Sequence, residues 1–247
     1  MSTDSLSCAR QADPSSSHEV HAGIRIALSA ALGVGATGVT FGVLVVQTGL
    51  PWWWAPLCQT VVFAGSLEFV LVGLAAACAP LSTIALSSLL VNSRHVFYAL
   101  SFPLDRVRAP LARAYSVYTL TDEAYALTSV PEARIWSGTR IVAIQATLQI
   151  SWVGGGLIGV GLGSLLPPEI PGLSFAFTAL FVVLAMDAYR ASASPPLPLL
   201  AAACATAAAM WTPGNMLLVA MTAYTVVLIT ARPVARRGGR KAVPRAH

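Results

Sequence analysis

Apolar residues run along this chain in long blocks separated by brief polar punctuation. The blocks fall at about 26–47, 52–79, 81–104, 114–130, 138–166, 173–189, 195–211 and 214–231. Several reach the roughly 20 residues that an α-helix needs to cross ~30 Å of hydrocarbon. The runs at 114–130 and 195–211 are short, and are expected to cross thin, tilt or re-enter. Strict two-residue alternation, the mark of an outer-membrane barrel, is missing. The pattern predicts an all-α fold: a polytopic membrane helical bundle of about seven to eight apolar segments, some broken or re-entrant.

The polar intervals set the organisation. Residues 1–22 are polar and Ser-rich without an apolar core, so no cleavable leader is expected there. They read as a disordered tail on the cytoplasmic or the external side, followed by a transmembrane domain over 23–232 and a basic cytoplasmic tail over 233–247. Most loops are short; Asp105–Arg113 and Pro131–Arg140 are longer and hold most of the internal arginines. No internal repeat is visible. Gly33-Val-Gly-Ala-Thr-Gly38 spells a dinucleotide-binding fingerprint, but no strand precedes it. These glycines, with Gly42 and the four-residue series Gly155, Gly159 and Gly163, suit close helix packing instead. Trp52-Trp53-Trp54 after the Gly49–Pro51 turn reads as an aromatic belt at the membrane surface.

Composition agrees. Of 247 residues, 56% are hydrophobic and 10% charged, with mean hydropathy +0.71; a soluble domain carries about 25% charged residues. Net charge is +5, and six of the fifteen basic residues occupy the last sixteen positions: Arg232, Arg236, Arg237, Arg240, Lys241 and Arg245. The positive-inside rule makes that end cytoplasmic in a multi-pass protein of the cell membrane, and no nucleic-acid partner is needed to explain it. Three topologies remain open. Eight crossings leave Arg106, Arg108 and Arg113 outside, against the rule. Re-entry of 114–130, together with one of the two earlier interrupted runs, makes every arginine-bearing loop cytoplasmic. Seven crossings put the amino terminus outside. Cys8, Cys58, Cys78 and Cys204 are scattered without a C-x-x-C pair, and His18 and His21 stand alone in the polar tail. Neither a disulfide framework, a metal site nor a cofactor is expected.

Charges inside apolar runs carry the chemistry. A charged group at bilayer depth costs about 2.5–3.5 kcal/mol on insertion scales, so such residues usually face a bundle interior and mark a pathway. In Phe63-Ala-Gly-Ser-Leu-Glu-Phe69, Gly65 and Ser66 would let a helix break, and the backbone amides of a half-helix can hold an anion. Glu68 would then meet an amino group or a proton; the alternative is a packing point with Glu68 held neutral by its neighbours. In Asn92-Ser-Arg-His95 with Tyr98, Arg94 offers a fixed fork to a carboxylate and His95 a proton relay. The alternative has Arg94 snorkelling to an interface. In Thr121-Asp-Glu-Ala-Tyr125, Asp122 and Glu123 point about 100° apart on a helix, so one would bind or relay while the other pairs with an arginine, unless both cap an interfacial loop. Asp187 reads as an interfacial charge. The class this implies is a transporter of a small polar or zwitterionic solute.

The order of Phe41-Gly-Val, Thr48-Gly-Leu, Val62-Phe-Ala-Gly-Ser66, Leu89-Leu-Val-Asn-Ser-Arg-His95 with Tyr98, and Thr121-Asp-Glu-Ala-Tyr125 resembles the AzlC family, the large subunits of branched-chain amino acid exporters. The likeness covers about Gly38–Leu127, weakening toward Thr230. Many relatives carry glutamine where this chain has Glu68, and the carboxylate looks closer to the type called BrnF. The resemblance implies export of leucine, isoleucine, valine and methionine driven by the proton gradient. It also implies a small AzlD-like membrane partner. Substrate binding would fall to Gly65, Ser66, Glu68, Asn92, Arg94 and Tyr98, and proton coupling to Glu68, His95, Asp122 and Glu123. Other classes stay in view: an importer of the same amino acids, a structural subunit of a membrane complex, or a membrane-embedded hydrolase. The last lacks both an H-E-x-x-H pair and a G-x-S-x-G elbow.

Overall fold

The computed structural model describes residues 16–167, 182, 186, 190, 196–212, 216 and 219–228, with the side chains of Arg94, Phe97 and residues 196–198 excepted. Asp187 and the arginine-rich tail lie outside these. Among the described residues every regular element is helical. The chain divides into two compact units, Met1–Val72 with Arg94–Leu165, and Gly73–Ser93 with Leu166–His247. In the second unit, α4 (Leu81–Asn92) and the helices Pro196–Trp211 and Val219–Leu228 are short, uncharged and mainly apolar.

The first unit is built on α1 (Ser16–Gln47) and α8 (Gly138–Leu165), both long and apolar enough to cross a membrane. They lie against each other in parallel. Near the start Gly23 rests on Ala143; further along Gly35 meets Ser151, Gly38 the carbonyl of Trp152, and Gly42 the backbone of Gly156 and Val160. At the far end Gln47 Nε2 donates to the Gly163 carbonyl at 3.2 Å. A Cβ added at Gly42 or Gly159 would run into the carbonyl of Gly156 or Val39. The glycines expected to pack helices closely therefore do so, except Gly33, which faces open space. Close backbone approach is how helices associate where burial of apolar side chains gives little drive.

Helix α1 begins at Ser16, so residues 16–22 belong to it rather than to a disordered tail. Glu19 accounts for this. It is 5% exposed, pairs with Arg140 Nη2 at 2.5 Å, and accepts from the hydroxyl of Ser137, just ahead of α8. Arg140 in turn stands 5.8 Å over the Trp136 ring.

Three apolar runs are broken between these helices. The run 52–79 gives α2 (Trp54–Val61) and α3 (Gly65–Ala76); the run 81–104 gives α4 and α5 (Arg94–Ser101), parted at Ser93. The run 114–130 gives α6 (Pro110–Tyr118) and α7 (Asp122–Thr128). Pro110 starts α6 where its missing N–H costs nothing, and extended Thr121 caps α7 by accepting from the Ala124 amide at 3.4 Å.

Helices α6 and α7 form a hairpin beside α8. On its way in, Ser116 of α6 exchanges hydrogen bonds with Gln145 of α8, and Tyr115 reaches Gln149. The chain then turns at Thr119–Thr121 and comes back. Beyond α7, the Ala133 carbonyl accepts from Arg106 Nη1, and a Cβ at Gly138 would collide with the Arg106 carbonyl. Arg106 lies just ahead of α6, so the stretches before α6 and after α7 sit at one end of α8. The short run 114–130 is thus a helical hairpin whose two flanks meet at one end of α8.

Candidate functional site

The polar centre of the first unit is the break between α2 and α3. Phe63 adopts a left-handed conformation, φ +43°, which costs a non-glycine residue roughly 1–2 kcal/mol. The glycine two residues later, expected from sequence to make the break, is helical instead. In an unbroken helix the Ala64 amide would donate to the Thr60 carbonyl. Here both groups are satisfied by side chains. Ala64 N–H donates to Glu68 Oε1 at 3.0 Å, and the Thr60 carbonyl accepts from the Tyr118 hydroxyl of α6.

Glu68 is fully buried. Besides the Ala64 amide, it accepts from the indole Nε1–H of Trp152, at 3.2 Å to one oxygen and 3.3 Å to the other. Trp152 lies near the middle of α8, fourteen residues or ~21 Å from Gly138. Its ring stacks with Phe41 of α1 at 5.8 Å, meets Phe69 of α3 edge-on at 6.4 Å, and covers Gly65. A Cβ at Gly65 would touch the indole at 3.4 Å. One aromatic side chain thus holds both the carboxylate and the start of α3, in apolar surroundings deep in the helix pair.

Helix α8 presents these groups from one face. Gln145, Gln149, Trp152 and Gly156 recur at the spacing of helical turns. Gln145 and Ser116 are both fully buried and satisfy each other reciprocally. Gln149 accepts from Tyr115 at 2.7 Å and donates to Tyr118 at 3.5 Å. At Gly156 the absent side chain leaves room for the amide of Gln59, which is fully buried and donates to the Trp152 carbonyl at 2.9 Å. The adjoining face, bearing Ser151, Gly155, Gly159 and Gly163, packs on α1. None of Gln59, Tyr118, Gln145, Gln149 and Trp152 was singled out from sequence. The i, i+4, i+7 spacing of Gln145, Gln149 and Trp152 in an apolar run was the available signal.

The remaining sequence candidates fall elsewhere. His95 and Tyr98 of α5 meet edge-on at 5.7 Å, and Tyr98 stacks on Tyr125 of α7 at 4.6 Å. Tyr125 also exchanges a hydrogen bond with Ser101 at 3.0 Å. This aromatic group packs on the cluster containing Ile141, eleven residues or ~16 Å along α8 from Trp152. Asp122 is half-buried and Glu123 exposed, both in the first turn of α7, where a carboxylate complements the helix dipole. Ser66 is exposed. Asn92 ends α4 in the second unit, and Arg94 opens α5 in the first. Among the described residues no group of three or more His, Cys, Asp or Glu is placed to hold a metal ion.

Comparison with known proteins follows the same residues. An uncharacterised membrane protein of Helicobacter pylori (strain ATCC 700392 / 26695) is 36% identical over 166 residues, 66% of this chain and 72% of the relative. The branched-chain amino acid transport protein AzlC of Bacillus subtilis (strain 168) is 30% identical over 154 residues, covering 61% and 60%. The inner membrane protein YgaZ of Escherichia coli (strain K12) is 29% identical over 140 residues, covering 53% and 57%. No solved structure matches the chain. The family model described as AzlC protein matches residues 29–166, more than half of the chain and all of its broken helices, and the chain belongs to the AzlC family.

Proposed function

We propose that this chain is the large subunit of a secondary transporter of the cell membrane. In this reading it exports leucine, isoleucine, valine and methionine, is driven by the proton gradient, and works with a small AzlD-like membrane subunit. Family membership and the name of the Bacillus relative support membrane transport of amino acids. The observation that carries the reading is Glu68, fully buried beside a helix break near the middle of a membrane-length helix. Ionisable groups at that depth are costly and serve pathways. Discontinuous helices are where transporters bind ions and small charged substrates.

The same reading assigns the chemistry. The positive end of α3 near Gly65 and Ser66, or Arg94, receives the substrate carboxylate. Glu68 takes the α-ammonium or the coupling proton, with His95, Asp122 and Glu123 as further stations toward the α5–α7 end. Phe41, Phe69 and Trp152 offer apolar surface to an aliphatic side chain. One proton moved through 100 mV supplies about 2.3 kcal/mol, nearly fifty-fold in concentration, which suffices for useful export.

Cells fed a leucine-containing dipeptide test direction and substrate together. Removal of the gene is expected to raise retained leucine, and Glu68→Ala at normal protein level is expected to behave like the deletion. Lower retention on deletion would favour an importer. Unimpaired export by Glu68→Ala would remove the carboxylate from the mechanism.

A further inference from the structure

We propose that the break between α2 and α3 is a two-state element, held open jointly by Glu68 and Tyr118 and closed by re-pairing of the backbone. Glu68 belongs to the site already described; Tyr118 gains a role as a positioning residue acting through the backbone. The break exposes one donor and one acceptor that are natural partners, the Ala64 amide and the Thr60 carbonyl. Each is diverted by a side chain from a different element: Glu68 in the first turn of α3 takes the amide, and Tyr118 at the end of α6 takes the carbonyl. Phe63 between them stays in a left-handed conformation that closure would relieve. The three features describe a helix prevented from being continuous.

The carboxylate is the natural trigger. A hydrogen bond to an ionised acceptor is about twice as strong as a neutral one. A proton or a substrate ammonium arriving at Glu68 therefore weakens its hold on the Ala64 amide. The amide then competes with the Tyr118 hydroxyl for the Thr60 carbonyl, and winning it zips α2 onto α3. Tyr118 is itself tied to α8, because its oxygen accepts from Gln149 Nε2 at 3.5 Å. Closure would thus release the α6 hairpin from α2. Cys58 of α2 and Tyr118 of α6 are titratable groups within electrostatic range of Glu68, alongside the Trp152 indole. In this way occupancy of one buried group is converted into a change of helix continuity. That this drives transport rests on the function proposed above; the switch itself does not.

The test reads shape and transport separately. In full-length protein with Cys8, Cys58, Cys78 and Cys204 replaced by Ala, spin labels are placed at Leu57→Cys and Gly73→Cys, both exposed positions flanking the break. A continuous helix separates them by ~24 Å. Glu68→Gln and Tyr118→Phe are each expected to move the interlabel distribution toward that value. Phe63→Gly, which removes the penalty of the left-handed residue, is expected to move it away. Opposite signs from neighbouring substitutions exclude general misfolding as the cause. Superimposable distributions for wild type, Glu68→Gln and Tyr118→Phe would overturn the switch. Shifted distributions with undiminished leucine export by Glu68→Gln would uphold the switch and overturn the transport role of Glu68.

Discussion

Replacing Trp152 by Phe separates two things that the indole does. Its ring fills the space between Phe41, Phe69 and Gly65, and its N–H holds the Glu68 carboxylate. Phenylalanine keeps most of the first and removes the second. The two distances of 3.2 and 3.3 Å share a single hydrogen, so they count as one charge-assisted bond. Such a bond contributes about 1.5–3 kcal/mol. At about 1.4 kcal/mol per factor of ten, loss of this bond predicts a fall in leucine export of roughly 10- to 150-fold. Initial efflux from dipeptide-loaded cells, normalised to the amount of protein in the membrane, measures it. Trp152→Leu, which also loses the ring contacts, serves as the comparison. A Trp152→Phe variant within twofold of wild type, beside a dead Trp152→Leu, would mean that packing matters and the hydrogen bond does not.

Other consequences can be checked by stability. Gly159→Ala drives a Cβ into the Val39 carbonyl and should cost about 1–3 kcal/mol. Gly154→Ala and Gly161→Ala, where nothing lies within 4 Å, should instead gain about 0.5–1 kcal/mol of helix propensity. Thermal unfolding in detergent reads the difference, at about 2–4 °C per kcal/mol for a chain of this size. Arg140→Gln leaves Glu19 buried without its cation, a loss near the lower end of about 3–5 kcal/mol because Arg140 is one-fifth exposed. Pairing it with Glu19→Gln should restore most of the protein level seen on immunoblots.

What was legible in the sequence was local. The apolar blocks located the helices among the described residues, and the glycine spacing marked helices that pack closely without saying which two. A carboxylate in an apolar run located Glu68. Partners were not legible. Trp152 stands 84 residues from Glu68, and a tryptophan in an apolar run looks like any other core residue until its N–H is seen to have an acceptor. Gln145 and Ser116 are neutral, so no desolvation penalty for a charge advertises them, yet they tie the α6–α7 hairpin to α8. Residues 16–22 read as tail from their polar composition, while the Arg140 that pairs with buried Glu19 lies 121 residues away. Nor could spacing alone separate the His95–Tyr98 group from the depth of Glu68. The 26 residues between Tyr98 and Tyr125 hold a hairpin that brings the two rings together.

The parallel course of α1 and α8 bears on a question that charge counting left open. If both helices cross the membrane in the same direction, residues 48–137 must cross an odd number of times between them. The α6–α7 hairpin would contribute no crossing, since Arg106 and Ala133 meet at one end. The runs 52–79 and 81–104 would then make one net crossing, with the break at Phe63 available for a turn back. This arrangement gathers Arg106, Arg134 and Arg140 at the end of α8 where Glu19 begins α1, as the positive-inside rule asks of a cytoplasmic face. Single cysteines at Ser17, Arg108 and Arg134, all exposed, are then expected to react with an impermeant maleimide from one side of the membrane. A cysteine at Trp52, exposed beyond the far end of α1, should react from the other. Labelling of Arg108 and Arg134 from opposite sides would make 114–130 a full crossing, and the broken helix at Glu68 would lose the geometry on which its proposed role depends.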